Sequence, residues 1–370
     1  HLNGQRVGDQ FLTPGWTSYN KRLQYQTYDV SKLLKQGANA AGVILGDGWY
    51  RGHLAWQNNR NLYGKTLGVL FQLEVEYTDG TKETINSSES WKCATGPVTK
   101  SGIYYGEAYD ARLEQGQWTQ AEFNDESWKS VATLSGGKEH LVASNGPPVR
   151  KHEIFKPVKI SKNENSETII DFGQNLVGWI KLTVNGNAGQ KILIHHAEVL
   201  DKNGNFYTDN LRAANQEIQY ILKGSGKEVY EPRFSFFGFR YIRIKGFPGD
   251  VQPENIVAIA LYSDMKPSGK FSSSNPLINQ LQHNIQWGQK GNFVDIPTDC
   301  PQRDERLGWT GDAQAFSRTA AFNMDVAPFF SKWLKDLSAD QTEDGRVPFV
   351  IPNVLGKNAS ASAGWADAAT

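Results

Sequence analysis

Near residue 270 the apolar residues stop recurring at every second position and begin to recur at helical spacing. A chain with that change cannot be one uniform architecture: strands must come first and helices after. Leu23–Tyr28 and Leu70–Tyr77 alternate at period two, and Thr78-Asp79-Gly80 follows the second run as a hairpin signal, so both read as half-buried antiparallel strands. Residues 1–148 are expected to form a jelly-roll-like β-sandwich whose beginning is missing. Gly146-Pro147-Pro148 marks a boundary, and residues 149–265, with strands around Ile169–Phe172, Gly178–Val184 and Lys191–His195, read as a second antiparallel β-sandwich. In the stretch from 266 onward Asn275 is placed as an N-cap with Pro276 at the first helical position, and Leu277, Ile278, Leu281 and Ile285 form one stripe. Two more helices are expected, one from Ala313 to Met324 and one starting near Pro328 with Phe330, Trp333, Leu334 and Leu337 inward.

The charge balance narrows the partners. Thirty-nine Lys and Arg stand against 39 Asp and Glu, with no basic run, so nothing steers the chain to nucleic acid or an anionic membrane. No apolar run of about 18 residues is present to cross a bilayer. Cys93 and Cys300 are too few for a disulfide framework or a zinc cluster, no Gly-x-Gly-x-x-Gly joins a strand to a helix, and neither a metal nor a cofactor is called for. Trp49, Tyr50 and Trp56 serve either as core or as a stacking platform for a sugar ring. The opening His1-Leu2-Asn3-Gly4 reads as the inside of a strand, and the last residues carry no stop signal, so a piece of a longer chain is expected. No signal peptide is visible; periplasmic or secreted placement is the guess and a cytoplasmic one stays open.

Between the first two helices lies a long irregular link, and such links are commonly functional. From Asp299 to Asp312 it holds four carboxylates (Asp299, Asp304, Glu305, Asp312) and two arginines (Arg303, Arg306), a formal charge of −2 in a neutral chain. Crowded carboxylates raise one another's pKa while arginines lower it, so one acid can stay protonated beside ionised neighbours. General-acid chemistry near neutral pH needs that mixture. Pro297, Pro301, Leu307 and Trp309 argue against a floppy, solvated segment.

The run Asp-Cys-Pro-Gln-Arg-Asp-Glu-Arg-Leu-Gly-Trp-Thr-Gly-Asp-Ala-Gln at 299–314 resembles the signature of bacterial α-L-rhamnosidases, glycoside hydrolase family seventy-eight. Leu45–Gly52 and Tyr105–Arg112 resemble the family's N-terminal β-domain; Asp171–Asn175, His196–Leu200 and Gly238–Tyr241 resemble the β-domain that follows. The resemblance implies that residues 266–370 are the first helices of an (α/α)6 catalytic barrel. It implies an inverting reaction on terminal rhamnose in glycosides or plant polysaccharides. By resemblance Glu305 takes the place of the general acid. Asp299, Arg303 and Asp312 take those that hold sugar hydroxyls, and Trp309 and Trp365 those of pocket aromatics. The family's general base would lie on a helix beyond residue 370, which would leave this chain inactive alone. Alternatives are a non-catalytic carbohydrate-binding β-sandwich module, and an (α/α)6 glycosidase for another sugar.

Two weaker signals point elsewhere. His195 and His196 are adjacent on a strand and should face opposite sides, which suits structure better than metal binding. Cys300 with His283 lacks an orienting third group, so a small buried thiol is expected.

Overall fold

The computed structural model describes residues 1–56 and 59–370, which are mostly sheet with three long helices near the C-terminal end. Among these residues ten strands make the main sheet. Its order is Val98–Gly102, Gly106–Asp110, Glu217–Ile221, Lys191–Ala197, Phe237–Lys245, Thr168–Asn185, Ile256–Ser263 and Val149–Phe155, while Lys159–Lys162 and Lys227–Tyr230 also pair with the central strand Thr168–Asn185. That strand runs for 18 residues and shifts register between Asp171 and Leu176, so its two halves serve different partners. Its first half pairs with Lys159–Lys162 and its last with Lys227–Tyr230.

Period-two patterning decides which side chains go inward. Ile192, Ile194, Ile218, Tyr220, Ile242 and Ile244 are buried together with Trp179, Ile180 and Leu182. Each such aliphatic or aromatic side chain contributes about 1.5–3 kcal/mol on leaving water. The two adjacent histidines obey the same rule. His196 is buried, stacks on Phe237 at 4.0 Å and bonds the carbonyl of Gln216, while His195 pairs with Glu217 at 3.0 Å.

Among the described residues, all neighbours in the main sheet are antiparallel except one pair. Gly106–Asp110 lies parallel to Glu217–Ile221, so strands from before residue 148 share a sheet with those after it. In the remainder of residues 1–148, Gln72–Glu76 and Lys82–Asn86 form the expected antiparallel hairpin. Leu23–Tyr25 departs from expectation: it pairs in parallel with Leu141–Ala143, a partner far along the chain that no local pattern could select.

The three helices cover Pro276–Asn292, Thr310–Asn323 and Ala327–Asp340. Asn275 caps the first by accepting from the Leu277 amide at 2.9 Å, with Pro276 at the first helical position as expected. Its apolar stripe is not inward: Leu277 is 77% exposed and Leu281 57%. The helix is held instead by its later residues, with Trp287 edge-on to Phe155 and Lys290 on Glu153, and by amides, Gln289 donating to the Ala320 carbonyl and accepting from Asn323, which in turn accepts from Gln282. Ala313 and Ala320 of the second helix, Met324 at its C-cap, and Trp333 and Leu337 of the third helix are buried, whereas Leu334 is partly out. Trp333, Leu337, Val350 and Ile351 belong to the same continuous core as Trp16, Trp49 and Trp179, while Ala320, Met324 and Phe329 pack with Met265 and Phe293 in a second cluster.

Candidate active site

The link between the first two helices is ordered by bonds to the rest of the molecule. The Asp295 carboxylate accepts from the Trp16 amide at 2.5 Å and from Lys332 Nζ at 2.7 Å, and Lys332 also donates to the Trp16 carbonyl. Lys332 is almost wholly buried, which is tolerable because it is fully partnered. Asp299 and Leu307 then close the loop by exchanging bonds, Asp299 N to Leu307 O at 3.2 Å and Leu307 N to Asp299 Oδ1 at 3.2 Å. The loop lies flat on the sheet at Gly238, where a Cβ would come within 2.8 Å of the Gln302 Cβ.

Arg306 anchors this loop rather than working in it. Its guanidinium donates to the carbonyls of Arg303, Ile103 and Phe236, each at 2.9 Å, and to Gln302 and Gln216 at 3.3 and 3.4 Å. The rings of Tyr104 and Phe236 flank it at 5.3 and 5.2 Å. Burial pulls its pKa down to about 10, still leaving it cationic at neutral pH. Of the two loop arginines, only Arg303 therefore faces the carboxylates.

Glu305 is 7% exposed and both its oxygens are occupied. Oε2 accepts from Arg303 Nε at 3.1 Å and from Arg212 Nη2 at 2.9 Å; Oε1 accepts from the Trp309 indole at 3.1 Å. Its backbone sits at φ 129°, followed by Arg306 at φ 47°, and the Tyr104 hydroxyl donates to its carbonyl. Non-glycine residues in that region cost of order 1–3 kcal/mol, so the surrounding bonds must hold the carboxylate there.

Asp299 completes the cluster. Arg303 Nη2 bonds its Oδ2 at 3.0 Å, bridging it to Glu305. Burial, reinforced by the charge of Glu305, pushes the Asp299 carboxyl up to about 6. Cys300 is buried with its thiol on Asp299, and burial raises that thiol far above its ordinary range, so it is no nucleophile. Asp299, Cys300 and Glu305 offer ligand atoms within 4.8 Å of one another, a set that could hold a cation. Arg303 already bridges both carboxylates, and a metal ion would have to displace it.

Asp312 and Trp309 border this cluster. Asp312 lies in the first turn of the helix Thr310–Asn323, with its carboxyl raised by burial first and then by the charge of Glu305. Trp309 is the N-cap of that helix. Trp365 lies over Gly311, where a Cβ would fall 2.7 Å from the indole, so glycine is what lets the ring approach. Of the three aromatic candidates near residue 50, Trp49 is buried against Trp16 at 5.9 Å and Tyr50 stacks on Tyr63. Neither offers an open platform. Trp56 instead approaches Trp309 at 6.3 Å. Arg212 escapes sequence reasoning because it stands outside every motif, more than 90 residues before the acid it touches.

This partly desolvated carboxylate cluster stands where the sheet-rich part of the chain gives way to the helices. Residues 1–153 match the alpha-L-rhamnosidase N-terminal domain, residues 161–262 the bacterial alpha-L-rhamnosidase concanavalin-like domain and residues 266–370 the bacterial alpha-L-rhamnosidase 6 hairpin glycosidase domain. The chain belongs to the bacterial alpha-L-rhamnosidase family. It is 44% identical to an alpha-L-rhamnosidase of Streptomyces avermitilis, along all of this chain and 36% of that protein, and 41% identical to one of Formosa agariphila, along 40% of it. Among solved structures it resembles an alpha-L-rhamnosidase from Aspergillus terreus with a TM-score of 0.97 at 47% identity, covering all of this chain and 43% of that one. The chain thus spans well under half the length of these relatives.

Proposed function

We propose that the protein carrying this chain is an inverting α-L-rhamnosidase, which releases terminal α-L-rhamnose from rhamnosides or plant polysaccharides. Glu305 is the general acid that protonates the leaving oxygen. Asp299, Arg303 and Asp312 hold the sugar hydroxyls, and Trp309 and Trp365 form the apolar wall for its methyl group. The observation that carries this reading is the near-burial of Glu305 beside Asp299, with one arginine bridging both. Two carboxylates so close repel one another, and burial together with the Glu305 charge raises the Asp299 carboxyl to about 6, well above its ordinary range.

An inverting reaction needs its second carboxyl about 6.5–9.5 Å from the acid, so that a water fits opposite the leaving group. Asp299 approaches Glu305 too closely, at 4.8 Å or less between ligand atoms, and is a holding group, not the base. The base is assigned to a part of the protein outside residues 1–370. Those residues comprise two β-sandwich domains, 1–148 and 149–265, and the opening helices, 266–370, of an (α/α)6 barrel. The strands Val98–Gly102 and Gly106–Asp110 tie the first domain to the second.

The test is Glu305→Gln in the full-length protein, assayed on a rhamnoside with a poor leaving group. Loss of about 100-fold or more in kcat is expected. Turnover at the unaltered rate would remove Glu305 from the role, and rhamnose release by residues 1–370 alone would show the base to be within them.

A further inference from the structure

We propose that Arg212, from the second β-domain, is a positioning residue that fixes which oxygen of Glu305 carries the transferable proton. This rests on the reading of Glu305 as the general acid. Arg212 closes the turn Asp209–Leu211, in the segment between the strands Lys191–Ala197 and Glu217–Ile221. Its guanidinium donates through Nε to Asp304 Oδ1 at 2.7 Å, through Nη2 to Glu305 Oε2 at 2.9 Å, and also to the Asp304 carbonyl.

The segment that carries Arg212 is built to hold still. Leu211, Ala214 and Gln216 are buried. Gln216 exchanges two bonds with Gly238, at 3.2 and 3.1 Å, and accepts from Arg306, the anchor of the motif loop. Arg212 itself sits at φ 54°, ψ −115°, a conformation for which an arginine has no intrinsic preference.

The chemistry follows from donor inventory. A guanidinium and an indole N–H donate hydrogen bonds and accept none. Oε2 of Glu305 faces two guanidinium groups, so a proton cannot reside there without opposing an N–H. Among the described residues Oε1 accepts only from the Trp309 N–H, which leaves it a lone pair. The proton is therefore confined to Oε1, on whichever side Trp309 leaves open. Arg303 cannot enforce this alone, because it also serves Asp299 and in the proposed function shares its donors with the sugar. Arg212 bonds Asp304 and Glu305, neither of which is assigned to hold sugar hydroxyls, and so keeps its grip while substrate is bound.

The experiment uses the full-length protein, with 4-nitrophenyl α-L-rhamnoside, whose leaving group needs little protonation, and methyl α-L-rhamnoside, whose leaving group needs full protonation. Arg212→Met is expected to lower kcat/KM by about tenfold or more on the methyl glycoside and by less than about threefold on the nitrophenyl one. Inhibition by free rhamnose should stay within about twofold, and Arg212→Lys should recover part of the loss. Equal losses on both substrates, no loss on either, or weakened rhamnose inhibition in step with rate would overturn the proposal. Should Arg212→Met not fold, Asp304→Asn and Arg212→Lys carry the same comparison: a loss confined to the methyl glycoside supports the proposal, and equal losses or none overturn it. Absence of rhamnoside hydrolysis by the unaltered protein, or full activity of Glu305→Gln on the methyl glycoside, would instead defeat the underlying reading, and the proposal with it.

Discussion

Arg306 donates from Nη1 to the carbonyl oxygen of Ile103 at 2.9 Å, across 203 residues of sequence. The same nitrogen reaches Phe236, so one buried cation joins the first β segment, the second and the motif loop. Each carbonyl stripped of its donor in a dry site costs about 1–3 kcal/mol. Arg306→Met is therefore expected to destabilise the protein by about 3 kcal/mol or more, read from urea unfolding. Arg306→Lys should recover little, since an ammonium cannot span acceptors set out for a planar fork. A loss below about 1 kcal/mol in both variants would mean that the loop is held by other contacts.

Asp299 gives stability a pH dependence of defined sign. Its carboxyl is raised to about 6 in the folded protein by burial and by Glu305, against about 4 in an unfolded chain. Between those values the folded form holds a proton that the unfolded form has lost. Its stabilising contribution is fully present below about pH 4 and is lost as pH rises through 6. Asp336, also raised to about 6 by burial, adds a slope of the same sign. Asp299→Asn should flatten part of the decline in urea midpoint between about pH 4.5 and 7. An unchanged slope would contradict the placement of this group.

Arg303 and Asp312 separate a sugar-holding site from a merely charged loop. Arg303 is only partly buried and its bonds go to the two site carboxylates, so Arg303→Met removes little that the fold depends on. In the full-length protein, Arg303→Met and Asp312→Asn should each weaken inhibition by free rhamnose about tenfold or more. The unfolding temperature should move by only a few degrees. Unaltered rhamnose inhibition in both would return these residues to surface electrostatics.

Much of this arrangement is legible from neighbouring residues. The Asn275-Pro276 cap, the hairpin at Asp79-Gly80 and the strand around Lys191–His195 follow from local chemistry and alternation, and the structure has them. The apolar stripe of Pro276–Asn292 is equally visible, yet patterning says that a face seeks cover without saying whether these residues supply it, and Leu277 and Leu281 stay exposed.

By itself the sequence determined the order of strands before helices, the cap and turn positions, and the concentration of acid and base groups at 299–312. Tertiary structure alone decided the partners. It gave Arg306 to backbone carbonyls rather than to carboxylates, and laid Gly106–Asp110 parallel to Glu217–Ile221. It also brought Arg212 onto Glu305. The physical reason is range. Caps, turns and periodicity act over a few residues, whereas a buried charge takes whichever partner the folded backbone brings within about 3 Å, and that neighbour can be one or two hundred residues away.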